Sequence, residues 1–384
     1  MKKGQIYEGV IESVEFPNKA VIPYMDQTAD GENIEVKVSA KGGIPGQRVS
    51  FAVKKARREN CKGRILEVLE KSPLETEKPV CPKFGLCGGC NYQTLPYEKQ
   101  LELKKNQVLR LLDTAMERFY GMEEAGRHSG ALSREKAVYG DGLAGKEFRE
   151  KRNLEHDYIY DGLLASHAVT AYRNKLEFSF GDEKMDGPLT LGLHKKGSFH
   201  DILDADSCQI VHEDFRQVLV CVRDFCREKE IPFYRKNSHE GILRHLLVRR
   251  SVATGEILAA LVVSSQRLPE WEGKSDVEVW EELTERLIRW QKAGKEDEKT
   301  DDDKEAGEET NPKERLAGFL LIINDSLGDV VQSDRMEILY GRDFIVEEIL
   351  GLKFKITPFS FFQTNSKGAE VLYRRARDYI LGNT

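Results

Sequence analysis

From residue 5 to residue 70, apolar and polar side chains alternate in short runs. QIYEGVIESV, KAVIPY, IEVKVSA, GQRVSFAVKKARR and KGRILEVLE each set an apolar face against a polar one, and turn-rich pieces such as DQTADGEN and KGGIPG separate them. Five short strands in so short a span predict a small closed barrel of the OB type, an architecture that can carry oligonucleotides on one face. At LPYEKQLELKKNQVLRLL the period changes. Leu101, Val108, Leu109 and Leu112 recur near helical spacing with charges between them, which predicts an amphipathic helix. Residues 121–165 show no period and read as loop. From Thr170 alternation returns. In TAYRNKLEFSFG, Tyr172, Asn174, Leu176, Phe178 and Phe180 share one face, and Arg173, Lys175, Glu177 and Ser179 share the other. GPLTLGLHKKG, LRHLLVRRS and EILAALVVSS read as further strands, and FRQVLVCVRDFCREK as a helix carrying Cys221 and Cys226. GFLLIINDS and DRMEILYG continue the pattern, so the middle of the chain is an α+β domain.

A chain of 384 residues, 40% hydrophobic and 32% charged, is long enough for two or three domains with real cores. It has no apolar run long enough for a membrane span. Its start, MKKGQIYEGVIESVEF, lacks the apolar core of a signal peptide. The expected setting is the cytoplasm, with reduced thiols, and the expected state is a monomer.

A net charge of −6 argues weakly against nucleic acid, but the charge is uneven. Between Arg48 and Arg64 seven basic residues stand against one acid, Glu59. Lys54, Lys55, Arg57, Arg58 and Arg64 are therefore candidates for phosphate contacts, with Arg173 and Lys175 extending the track. The competing reading is a solvated basic hairpin. Residues 292–315, KAGKEDEKTDDDKEAGEETNPKER, are nearly free of apolar side chains and read as a disordered acidic surface insert.

Three of seven cysteines fall within CPKFGLCGGCNYQ, as Cys81-x5-Cys87-x2-Cys90. Thiolates this close repel one another unless a cation neutralises them, and Gly85, Gly88 and Gly89 let the backbone wrap and turn N–H groups toward sulfur. Cys61 lies in the barrel, and Cys221 and Cys226 lie on a helix. Cys208, in DADSCQIVH, is the best fourth ligand. The spacing is not that of paired zinc knuckles and favours a 4Fe-4S cluster; zinc stays open as the alternative.

In combination these features resemble the RNA uracil-5 methyltransferases, the ribosomal-RNA branch most of all. The residues that carry the resemblance are CPKFGLCGGCNYQ, DADSCQI, YRNKLEFSFG and ITPFSFFQTNSKGAEVLY. It implies an α+β multidomain chain. Residues 1–72 would be a TRAM-like OB barrel, and 73–120 the cysteine-cluster motif with its amphipathic helix. Residues 165–355 would be a central α+β RNA-binding domain, and 356–384 the truncated start of a Rossmann-like α/β domain for S-adenosylmethionine. The resemblance implies that Cys81, Cys87, Cys90 and Cys208 ligate the cluster, that Gln363 contacts S-adenosylmethionine and that Phe361 lies beside the target base. It implies 23S ribosomal RNA as substrate, with transfer RNA as the alternative.

In such enzymes a cysteine attacks C6 of uracil, which makes C5 nucleophilic toward the methyl group, and a glutamate then removes the C5 proton. Neither that cysteine nor a Gly-rich cofactor turn is found here, so the chain reads as the N-terminal portion of an S-adenosylmethionine-dependent RNA (uracil-5-)-methyltransferase, truncated and inactive by itself. The alternative is a non-catalytic RNA-binding iron–sulfur protein; a third reading is a zinc-stabilised RNA-binding module.

Overall fold

A computed structural model describes residues 1–27, 31–56, 60–128, 158, 160–293, 315–328 and 331–382. They divide into two compact units. One comprises residues 1–79 and 91–165, the other residues 80–90 and 166–384.

In the first unit the alternating segments form a six-stranded sheet in the order β1-β5-β6-β4-β3-β2. Its strands are β1 (Ile6–Val10), β2 (Ser13–Glu15), β3 (Lys19–Gln27), β4 (Asn33–Lys41), β5 (Arg48–Lys55) and β6 (Asn60–Glu70). The two edge strands are consecutive pieces of chain. β1 pairs with β5, and two residues later β2 pairs with β3, so a single bent segment closes the sheet on itself. At the crossover Ile11 N–H donates to the Gln47 carbonyl (2.9 Å) and Glu12 N–H to the Val21 carbonyl (3.0 Å). Gly43 makes room there. Its φ of +94° belongs to glycine, and a Cβ would stand 2.4 Å from Ile11 Cδ1. Inward-facing Ile11, Ile22, Val36, Val38, Val49, Phe51 and Cys61 fill the interior.

Helix α1 (Tyr97–His128) follows, longer than its apolar stripe suggests, so residues 121–128 are helix rather than loop. Gln107, buried, donates to the Val14 carbonyl at 3.2 Å and ties the helix to β2. Val108 and Leu112 stay exposed. Of the rest of the stretch read as loop, 129–157 and 159 lie outside the described residues, as do residues 294–314 of the acidic insert.

The second unit centres on a seven-stranded sheet in the order β13-β12-β11-β10-β7-β8-β9. Its strands are β7 (Lys175–Gly181), β8 (Thr190–His194), β9 (Ile202–Asp204), β10 (Leu243–Arg250), β11 (Ile257–Val263), β12 (Leu316–Ile323) and β13 (Arg335–Gly341). β11 and β12 run parallel and the other neighbours antiparallel. Helices α2 (Glu213–Glu228) and α3 (Asp276–Ala293) supply Phe215, Leu219, Val222, Trp280, Leu283 and Leu287 to a core shared with Leu176, Phe178, Leu246 and Phe319. The opposite face packs Leu247, Leu258, Ala260, Leu320 and Ile322 against Ile345 and Ile356 of the hairpin β14 (Ile345–Ile349) and β15 (Leu352–Ile356). β10, β11 and β12 are covered on both faces, which is why they read as continuous apolar runs.

Helix α4 (Ser366–Leu381) belongs to this unit. Phe362 joins the core of the hairpin face and lies 5.6 Å, ring to ring, from Phe354. The described part of 356–384 is thus a strap and a helix that group with the α+β unit.

Candidate functional site

The cysteine loop is built by turns. Cys87 N–H donates to the Lys83 carbonyl (2.9 Å), and Gly85 supplies a φ of +85°. The loop then joins the end of β8. Gly88 N–H donates to the His194 carbonyl (3.1 Å), Lys196 N–H donates to the Leu86 carbonyl (2.7 Å), and Cys87 bridges Lys195. Gly89 N–H points at Cys87 Sγ (3.4 Å).

Cys208 arrives from the turn after β9, and its loop is anchored by Arg223 of α2. That guanidinium donates to Asp204 (2.7 Å) and Asp206 (3.2 Å). Burial, and then the neighbouring Cys81, Cys90 and Cys87 thiols, push the Cys208 thiol up. The structure thus brings together, within electrostatic reach, the four cysteines the sequence nominated. None of the seven cysteines forms a disulfide. Among the described residues no group of three or more His, Cys, Asp or Glu side chains is gathered about the position of a single metal ion. The four thiols are half-buried, and Cys87 Sγ already receives a backbone N–H.

The second candidate region is the strap 357–365. Arg249, 3% exposed, donates to the carbonyls of Pro358 (3.1 Å and 3.0 Å) and Ser360. Asn174 uses its amide on the Gln363 carbonyl (2.9 Å) and Ser366 Oγ (2.7 Å), and its backbone N–H on the Thr364 carbonyl (2.8 Å). Ser366 Oγ donates to Glu347, which is 1% exposed and also accepts from Ser251 Oγ and the N–H groups of Val252 and Ala253. Asn365 caps α4 by accepting from Gly368 N–H (2.9 Å). The backbone is therefore pinned while the Phe361 side chain is 86% exposed and that of Gln363 is exposed. Sequence reasoning had named Phe361 and Gln363 and missed Arg249, Asn174 and Glu347 as the residues that hold them.

Lys54, Lys55 and Arg64 are exposed on β5 and β6, where Lys55 faces Lys62 across the ladder. Arg57 and Arg58 lie outside the described residues. Arg48, at the far end of β5, is neutralised by Glu8 (2.6 Å) and Glu70 (2.7 Å), so the basic character collects at the turn end. Lys175 is paired with Glu177 (2.7 Å), and Arg173 Nε donates to the Lys175 carbonyl (2.8 Å).

Cys61 and Cys226 are buried. Burial pushes the Cys221 thiol up to about 11 and that of Cys226 further still, so neither is a ready nucleophile near neutral pH.

No family model matches the chain. Over 99% of its length it is 40% identical to an uncharacterized RNA methyltransferase of Clostridium tetani, spanning 66% of that protein. It is 37% identical over 99% of its length to an uncharacterized RNA methyltransferase of Caldanaerobacter subterraneus subsp. tengcongensis, spanning 67% of that one. Its fold matches the crystal structure of Pyrococcus abyssi tRNA (uracil-54, C5)-methyltransferase in complex with S-adenosyl-L-homocysteine, with a TM-score of 0.56 and 18% identity over 97% of this chain and 64% of that one.

The chain belongs to the RNA methyltransferase family of these relatives. It spans about two thirds of their length. The expectation of a truncated, inactive chain gains no support from them, since their similarity runs through 99% of this sequence. Among the described residues no helix is long and apolar enough to cross a membrane.

Proposed function

We propose that the protein works in S-adenosylmethionine-dependent methylation of uracil C5 in RNA. The observation that carries this is the similarity, over 99% of the chain, to relatives named RNA methyltransferases. The structural neighbour, a uracil-C5 enzyme holding S-adenosyl-L-homocysteine, supports both the base and the donor. When bound, S-adenosylmethionine supplies an electrophilic methyl group. In this chain Gln363 is read as its contact and Phe361 as the ring beside the base, and the pinned strap supports that reading by fixing the backbone beneath two exposed side chains. The nucleophilic role at C6 falls to none of the seven cysteines here.

The closed sheet is read as a TRAM-like OB barrel. Its strand order, with β4 and β6 parallel and the bent first segment shared between both edges, supports this. Lys54, Lys55, Arg57, Arg58 and Arg64 are its RNA-facing cations, and Arg173 and Lys175 add to them from the α+β unit. Cys81, Cys87, Cys90 and Cys208 are the ligands of a 4Fe-4S cluster, which would cross-link the cysteine loop to the turn after β9.

The target is read as 23S ribosomal RNA from the sequence resemblance; the neighbour's substrate favours transfer RNA as a second reading. The test is transfer of labelled methyl from S-adenosylmethionine to unmodified 23S ribosomal RNA and transfer RNA, with the product digested to nucleosides. 5-Methyluridine in one RNA identifies the target. Label in another nucleoside would sink the uracil-C5 reading.

A further inference from the structure

A cavity of about 510 Å³ opens at one end of the seven-stranded sheet, away from the strap. Its walls are the end of β7 (Ser179 to Asp182), the end of β8 at His194, the loop Phe199 to Ile202, the segment Phe233 to Ser238, and Arg244 and His245 of β10. None of these residues was singled out by sequence as a site residue, and only His194, whose carbonyl accepts from Gly88 N–H, touches the cysteine loop described above. We propose that this cavity holds one unstacked nucleotide of single-stranded RNA, its base on Phe199 and its phosphate on Arg235 and Lys236. This rests on the reading of the protein as RNA-binding.

Size, charge and exposed aromatic surface point the same way. The volume lies in the range of small-ligand sites. Arg235, Lys236 and Arg244 outnumber the carboxylates of Asp182 and Asp201 in the lining. Arg244, 5% exposed, gives its terminal N–H groups to the carbonyls of Asn324 (2.9 Å), Ser326 (2.8 Å) and Gly328 (2.6 Å). Carbonyls satisfy its hydrogens without cancelling its charge, and its Nε is buried without a partner. Its Cζ lies 4.3 Å from the centroid of the Tyr234 ring, a cation–π contact that joins the two walls.

Arg235 pairs with Asp186 at the surface, where the side chains are 47% and 77% exposed. Such a pair is worth little and can be exchanged for a phosphate. On the rim, Phe199 is 84% and Met185 87% exposed. Single exposed apolar residues are ordinary, but an aromatic ring beside a basic cavity is the combination that stacks bases and tracks a phosphate backbone. The wall at His194 is also braced from behind, through the two hydrogen bonds that join Gly88 and Leu86 to the end of β8.

The test is binding of a fluorescent single-stranded oligouridylate of about ten nucleotides, measured by anisotropy across a salt series on the whole chain. Phe199→Ala and Arg235→Ala change exposed side chains, and circular dichroism confirms that each variant folds. Phe199→Ala should weaken binding by about 5- to 100-fold with the salt slope unchanged, and Phe199→Trp should restore it. Arg235→Ala should weaken binding and flatten the slope by about one unit. Uridine monophosphate alone should displace the oligomer only at far higher concentration; displacement at matching concentration would overturn the RNA assignment in favour of a free-nucleotide site. If the unaltered protein binds the oligomer and Phe199→Ala binds it as well, the cavity proposal falls by itself. If the unaltered protein binds no RNA, the functional reading falls with it.

Discussion

Arg249 sits where the alternation of β10 would bury an apolar side chain. Its neighbours on that face include Leu247, and burial draws its guanidinium down to about 10, which still leaves it charged near neutral pH. The charge is kept because two strap carbonyls need donors. Replacing it, as in Arg249→Met, should cost about 1–3 kcal/mol, the penalty of leaving buried acceptors unmet. Amide exchange in residues 357–365 should rise; unchanged exchange there would mean that Arg249 does not hold the strap.

Asp214 behaves differently. Burial alone would push its carboxyl up, but hydrogen bonds from His212 and Arg250 outweigh that and hold it at about 2. A depressed carboxyl stabilises the fold above its unfolded value of 3.8, and that stabilisation is lost as pH falls through about 2. Urea midpoints of Asp214→Asn should therefore trail those of the unaltered chain at pH 6 and converge with them toward pH 2. A constant gap would contradict the pairing.

The closeness of Cys81, Cys87 and Cys90 was legible from their spacing in the sequence, and their role as cluster ligands is proposed above. Arg249 and Glu347 were not legible, because nothing in one sequence tells which carbonyls a buried charge will meet. Cys208→Ala should release iron as fully as Cys87→Ala after anaerobic preparation. Retention of all iron by Cys208→Ala would place the fourth ligand elsewhere, and stoichiometric zinc without sulfide would replace the cluster.

Among elements, strands with one wet face were the most legible. In β7, Leu176, Phe178 and Phe180 lie on the core face as their spacing implied. Helix α3 was not recognised. Its buried stripe of Trp280, Leu283 and Leu287 is crowded by charged neighbours and runs into the acidic insert. It follows β11 and precedes β12, so it is part of the crossover that their parallel pairing requires. The closure of the first sheet also escaped sequence reading as a mechanism. It depends on Gly43 and on two backbone hydrogen bonds at Ile11 and Glu12, which leave no hydrophobic signature.

The basic end of β5 and β6 carries the element-scale prediction. Lys54→Glu with Arg64→Glu reverses two exposed cations and touches no core residue. RNA affinity should fall for every sequence tested, and the salt slope should flatten by roughly one unit for each phosphate no longer neutralised. Affinity and slope both unchanged would remove this hairpin from the RNA surface.

At the scale of the molecule, the two units present different surfaces: exposed cations at one end of β5 and β6 on the closed sheet, and on the α+β unit an exposed Phe361 and Gln363 above a pinned strap. The thiol loop is close in sequence to α1 but groups with the sheet that carries the strap, because its hydrogen bonds go to the end of β8. Family membership rests on the similarity to relatives named RNA methyltransferases over 99% of the chain, and the chemistry rests on the proposal of uracil-C5 methylation. The most direct measurement of that proposal is a mass-spectrometric map of 5-methyluridine in 23S ribosomal RNA and transfer RNA from cells that carry the gene and from cells that lack it. The account predicts that one methylated uridine disappears with the gene and returns with it; identical maps in both strains would contradict it.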